Sequence, residues 1–122
     1  KMLQKYPEYE QEIKVPEKIW PLRIWYMYGQ DACTLIDVNE QEQKVTVKNY
    51  TDKIMFRAFG TVEHPDYSQY LEFLKSRCFP ESRDKMKLVL RDLGLPFYDP
   101  IMIIEKTEGR MAEDDFWIRI ER

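Results

Sequence analysis

A single strand near the end of the chain, Phe116-Trp117-Ile118-Arg119-Ile120, constrains the fold more than any other feature. It follows a run of helical segments, and a lone strand leaves its backbone N–H and C=O groups unpaired unless a sheet receives it. The only sheet the sequence offers lies at the other end. Leu22, Ile24, Tyr26 and Tyr28 alternate against Arg23, Trp25 and Met27, a period-two pattern rich in aromatic and β-branched residues. Gly29-Gln30-Asp31 reads as a turn, Ala32 to Val38 as a second strand and Asn39 to Gln43 as a polar loop. Lys44 to Asn49 gives a third strand, with Val45 and Val47 inward and Lys44, Thr46 and Lys48 outward. Strands joined by short turns make an antiparallel meander with one solvated face. The expected fold is therefore α+β: an N-terminal three-stranded meander plus the C-terminal strand, with about four helices packed on one face.

The helices carry start and stop signals. Thr51 or Asp52 caps a short one, which Ile54, Met55, Ala58 and Phe59 press onto the sheet and Gly60 ends. Asp66 or Ser68 caps the next, where Tyr67, Tyr70, Leu71 and Leu74 recur at i, i+3, i+4 and i+7. Ser82 opens a third over 82–93, with Met86, Val89, Leu90 and Leu93 on one face. Gly94 supplies its left-handed end and Leu95 folds back on the last turn. Asp99-Pro100 opens the last, which turns Ile101, Ile104 and Met102 inward and stops at Gly109.

Before this domain of residues 22–122, residues 1–21 read as a polar leader, extended or weakly ordered, that docks through Tyr6 and Tyr9. A chain of 122 residues suits one domain. Its net charge of −3 and pI of 5.3 do not mark a general nucleic-acid binder. Cys33 and Cys78 allow one disulfide at most, and without a signal peptide two buried reduced thiols in a cytosolic protein are the better reading. No apolar run approaches the ~20 residues of a membrane helix.

Chemistry-bearing constellations are few. His64 is the only histidine, and no His, Cys and carboxylate cluster has metal-ligand spacing, so neither metal nor cofactor is expected. Cys78 sits beside Arg77, which can lower a thiol pKa, but it lacks an evident base and reads as a structural cysteine. Phosphate loops, nucleophile elbows and kinase motifs are missing, so catalytic residues are not expected. Glu113, Asp114 and Asp115 form the densest acidic run; Asp114 or Asp115 caps a turn or faces Arg110, or the run receives a basic partner. Lys75 to Arg91 is basic instead, with six cations against Glu81 and Asp84. There Arg83, Lys87 and Arg91 fall at i, i+4 and i+8, a face for duplex DNA or simply for solvent. Asn and Gln, common base readers, do not occur on that helix.

The series Asn49-Tyr50-Thr51-Asp52, Arg57-Ala58-Phe59-Gly60, Arg77-Cys78-Phe79-Pro80 with Arg83, Leu93-Gly94-Leu95, Tyr98-Asp99-Pro100, Lys106-Thr107, Gly109-Arg110-Met111 and Asp115-Phe116-Trp117-Ile118 resembles a family. That family comprises small uncharacterised proteins of Firmicutes and their phages, plasmids and integrative elements, and a similar segment precedes the kinase domain of some HipA-type proteins. The first hairpin departs from the family, with Tyr26 to Asp31 where a His-Lys pair is common. The resemblance implies a fold and a mobile-element setting in the cytoplasm of a bacterial host, without an assigned activity. The expectation that follows is a non-enzymatic protein-binding domain, in its sharpest form an anti-CRISPR inhibitor of an RNA-guided nuclease. Its partner would be a basic nucleic-acid enzyme met by Glu113, Asp114 and Asp115 and by the exposed members of Trp20, Trp25, Tyr26 and Tyr28, of which at least half pack in the core. The alternative is a DNA-associated regulator that uses Arg83, Lys87 and Arg91.

Overall fold

The structure, a computed structural model, describes residues 3–5 and 12–122, with side chains from Lys14 onward. Its strands are Leu3–Lys5 (β1), Glu12–Lys14 (β2), Leu22–Tyr28 (β3), Asp31–Asn39 (β4), Lys44–Asn49 (β5) and Phe116–Glu121 (β6). Its helices are Tyr67–Ser76 (α1), Met86–Leu93 (α2) and Pro100–Thr107 (α3). The terminal strand finds its sheet as expected: the order is β5-β4-β3-β6, antiparallel throughout, with Ile118 opposite Tyr26. Tyr26 also faces Thr34 while Met27 faces Ala32, so Cys33 is the extra residue of a bulge in β4.

One face of the sheet carries the helices. Leu22, Ile24, Ile36, Val38 and Ile118 meet Tyr70, Phe73, Leu74, Leu90, Ile103 and Ile104 there. Local chemistry sets the helix ends. Asp66 and Gln69 form a reciprocal capping box on α1, with side-chain-to-backbone distances of 2.8 and 2.9 Å. Asp99 accepts the Ile101 N–H at 3.1 Å, and Pro100 occupies the first turn of α3. Gly94 ends α2 in the left-handed region, and the Leu95 N–H reaches back to the Leu90 carbonyl at 2.8 Å.

Several expectations give way. The helix expected from Ser82 starts at Met86, because a turn closes from the Pro80 carbonyl to the Arg83 N–H and Lys85 takes a left-handed conformation. The segment after β5 is only a 3-10 turn, Ile54–Phe56, since Arg57 is extended and its Nε donates to the Thr51 carbonyl. It turns Ile54 and Met55 outward and packs Phe56 in their place, while Ala58 and Phe59 pack inward as expected. Among the described residues there are thus three α-helices rather than about four. On α1 the stripe is Tyr70, Phe73 and Leu74, with Leu71 exposed, because Phe73 stands edge-on to Tyr26 at 4.9 Å. On α3 the fully buried pair is Ile103 and Ile104, with Ile101 and Met102 half-buried.

The expected solvated face is largely covered. Trp25, Met27, Ala32 and Leu35 are buried there with Val15 of the leader, flanked by Tyr50 and Trp117. Arg23 and Asp37 form a bidentate pair at 2.7 and 3.0 Å on the same face. The run from Cys33 to Val38 carries Leu35 between Thr34 and Ile36, a pattern for burial on both faces rather than strict alternation. Leader docking thus rests on Val15 and on the Tyr50 hydroxyl, which donates to the Lys14 carbonyl at 2.6 Å. Tyr6 and Tyr9 lie outside the described residues, and β1 pairs only with β2.

The loop after α3 seats β6. Gly109 is buried with φ of 63°, its carbonyl accepts from Arg77 Nε at 3.0 Å, and the Ile118 N–H donates to the Glu108 carbonyl at 2.7 Å. A Cβ at Gly109 would lie 3.2 Å from Ile118 Cδ1, on top of the left-handed backbone. Gly109→Ala should therefore cost more than about 1 kcal/mol in urea denaturation, against near-neutrality at an unstrained surface site.

Candidate functional site

Each candidate group can now be placed. The acidic run is divided. Asp114 Oδ1 and Oδ2 accept from Arg77 at 3.0 Å each, and Oδ1 also accepts the Phe116 N–H at 3.0 Å. Asp114 therefore serves the fold through a residue 37 positions earlier, while Arg110 pairs with Glu108 at 2.8 Å. Glu113 and Asp115 remain exposed, and the Asp115 carbonyl accepts the Gly29 N–H at 3.1 Å. The Asp115 backbone thereby meets the turn between β3 and β4.

The four rings divide as well. Trp25 is wholly buried against Tyr50, and its indole N–H donates to Glu121 at 3.1 Å. Tyr26 is buried in a parallel stack on Phe116, with centroids 4.6 Å apart. Neither ring can anchor a partner. Trp20 is half-buried over a groove that Leu35, Thr46 and Lys48 also line. Tyr28 is half-buried and meets Phe56 and Phe116, each at 4.8 Å.

The basic face does not form as expected. Arg83 precedes α2 and lies 5.6 Å from the Phe79 ring, so only Lys87 and Arg91 share the helix. The i, i+4, i+8 argument for a groove-reading helix loses its first member.

Burial governs the shifted protons. It pushes the Cys33 and Cys78 thiols up to about 11, for Cys78 with help from Asp99 and against the nearby Arg77. Both thiols are free, buried and protonated at neutral pH. Burial likewise raises the Tyr26 hydroxyl to about 12. Among the described residues no three His, Cys, Asp or Glu side chains converge on a metal position. No helix there is long and apolar enough to cross a membrane.

What the structure assembles is one end of the sheet. Tyr28, Phe56 and Phe116 pack ring against ring, Met55 stands 88% exposed beside Phe56, and Ile54 is exposed next to it. Exposed Asp115 directly precedes Phe116, and Lys53 Nζ lies 5.7 Å from the Phe56 ring. The sequence pointed to Tyr28 and to the acids, but the expected helix turned Met55 inward and gave Phe56 no role. The adjacent aromatic in Met55-Phe56 was the available signal, since an extended break at Arg57 reverses which of the two faces in. No protein-family model, curated protein or solved structure matches this chain.

The Arg77–Asp114 pair makes a pH prediction. Hydrogen bonds from Arg77 hold the Asp114 carboxyl below its ordinary 3.8, so its contribution is present above that value and fades as pH falls through the folded-state pKa. Asp114→Asn should cost about 2–3 kcal/mol at pH 7, less than for a fully buried pair because Asp114 keeps 29% side-chain exposure. Thermal melts from pH 7 down to about 2 should show this deficit shrinking below about pH 4.

Proposed function

We propose that the domain is a protein-binding module whose partner-facing surface is the end of the sheet built by Tyr28, Phe56 and Phe116. The observation that carries this reading is Met55, 88% exposed and next in the chain to Phe56 of that cluster, with exposed Ile54 before it. Methionine and aromatic rings are enriched at interface cores, and exposed apolar groups gathered over rings are costly unless a partner covers them. Exposed Asp115, the residue before Phe116, favours a basic contact there, and Lys53 Nζ, 5.7 Å from the Phe56 ring, favours an acidic one. The sharper form rests on the family resemblance: a non-enzymatic, stoichiometric inhibitor carried by a phage or other mobile element, active in the bacterial cytoplasm. Its target would be a host-defence nuclease, as for an anti-CRISPR that occupies the Lys- and Arg-lined channel of an RNA-guided nuclease.

Capture from host lysate with paired baits tests the module. Wild type should retain a partner that Met55→Asp and the double variant Glu113→Lys/Asp115→Lys lose by about tenfold or more, with melting midpoints unchanged. If all baits retain the same proteins, or none, this surface is not the binding site. The sharper form predicts that cleavage by a purified RNA-guided nuclease falls to a plateau near one equivalent of protein. Cleavage that stays flat under excess protein would rule that target out.

A further inference from the structure

The outer edge of β5 carries backbone groups that no strand of the described residues pairs. The Tyr50 N–H donates to the Cys33 carbonyl at 2.8 Å, which fixes the parity of the ladder. Leu35 with Lys48, Asp37 with Thr46 and Asn39 with Lys44 are then the hydrogen-bonded pairs. The amides and carbonyls of Val45, Val47 and Asn49 therefore point away from β4, and β5 is the last strand on that side. Among the described residues no backbone group meets them. The opposite edge differs: on β6 the Ile118 N–H is taken by Glu108 and the Phe116 carbonyl by Arg77. Side chains on β5 sort by face. Val45 and Val47 are half-buried on the helix side, while Lys44, Thr46 and Lys48 are exposed on the other.

We propose that this edge receives an extended acidic segment of another protein as an added strand along Lys44–Asn49. Backbone hydrogen bonds to Val45, Val47 and Asn49 hold the guest, and alternate side chains give it specificity. Lys44 and Lys48 lie on one face four residues apart, so carboxylates at alternate guest positions stand opposite them. Lys44 now meets Glu42 at 3.3 Å, in an exposed pair that gives way at little cost. A second copy of this chain is a poor guest. Self-pairing centred on Thr46 sets Lys44 directly opposite Lys48 of the second copy, twice over, and like charges so placed repel. The lysines thus disfavour that register of self-pairing and favour acidic chains. This edge is separate from the Met55 surface and goes beyond the reading above.

The probe is an acetylated, amidated peptide of about seven residues alternating glutamate and valine, with a lysine-for-glutamate counterpart. Each is titrated into the isotope-labelled full chain. The acidic peptide should shift the amide resonances of Val45, Val47 and Asn49, with a Kd lower than the lysine peptide's by about tenfold or more. Val47→Pro removes an outward donor and no bond to β4, and should abolish binding. Should that variant lose its fold, the double variant Lys44→Glu/Lys48→Glu decides, since it should reverse the preference between the two peptides. Equal affinities, shifts confined elsewhere, no shift at about millimolar peptide, or self-association through β5 that excludes the peptide would each overturn the proposal. Met55→Asp should leave the acidic peptide's Kd unchanged, so this edge and the Met55 surface fail or hold separately.

Discussion

The guanidinium of Arg77 is the interaction on which the rest of the fold turns. It is buried at the end of α1, and a cation there is tolerable only when its donors are taken up. Gly109 accepts from Nε, Asp114 from both terminal nitrogens and Phe116 from one of them, while the Tyr26 and Phe116 rings lie 5.9 Å from its central carbon. One side chain thereby ties the first helix, the loop after the last helix and the start of the closing strand. It also fixes register. A one-residue slip of β6 would turn Phe116, Ile118 and Ile120 away from the helices and carry the Phe116 carbonyl off the guanidinium.

With the closing strand held, β3 and β4 become the interior of the sheet and are buried on both faces. The second face mixes chemistries. Trp25, Met27 and Leu35 are apolar, yet Arg23 and Asp37 lie among them with side chains 3% and 12% exposed. A buried ion pair is weak evidence for stability, because desolvation offsets much of the Coulomb gain. Its clearer effect is on pairing. Arg23 and Asp37 are cross-strand neighbours, and only this register lets each satisfy the other.

Because the centre of the sheet is closed on both faces, its exposed groups are left to the periphery. The end formed by Tyr28, Phe56 and Phe116 lies beside exposed Met55, and the edge formed by β5 carries exposed Lys44 and Lys48. The core cysteines and Tyr26 fit the same picture, since burial moves their pKa values further above the physiological range.

What the sequence determined by itself was local. Asp66 with Gln69, Asp99 with Pro100 and Gly94 with Leu95 set the helix ends within a few residues of backbone. Alternation placed β3, β4 and β5 to within about a residue, and the need to pair a lone strand placed β6. Tertiary structure decided which groups were covered. Nothing near Trp25 says that Tyr50 and Val15 bury it, and nothing near Asp114 says that Arg77 claims it. Capping and periodicity act over a turn of chain and are written in neighbouring residues. Burial and ion pairing depend on what folds over a face from far along the chain, so they exist only once the elements have met.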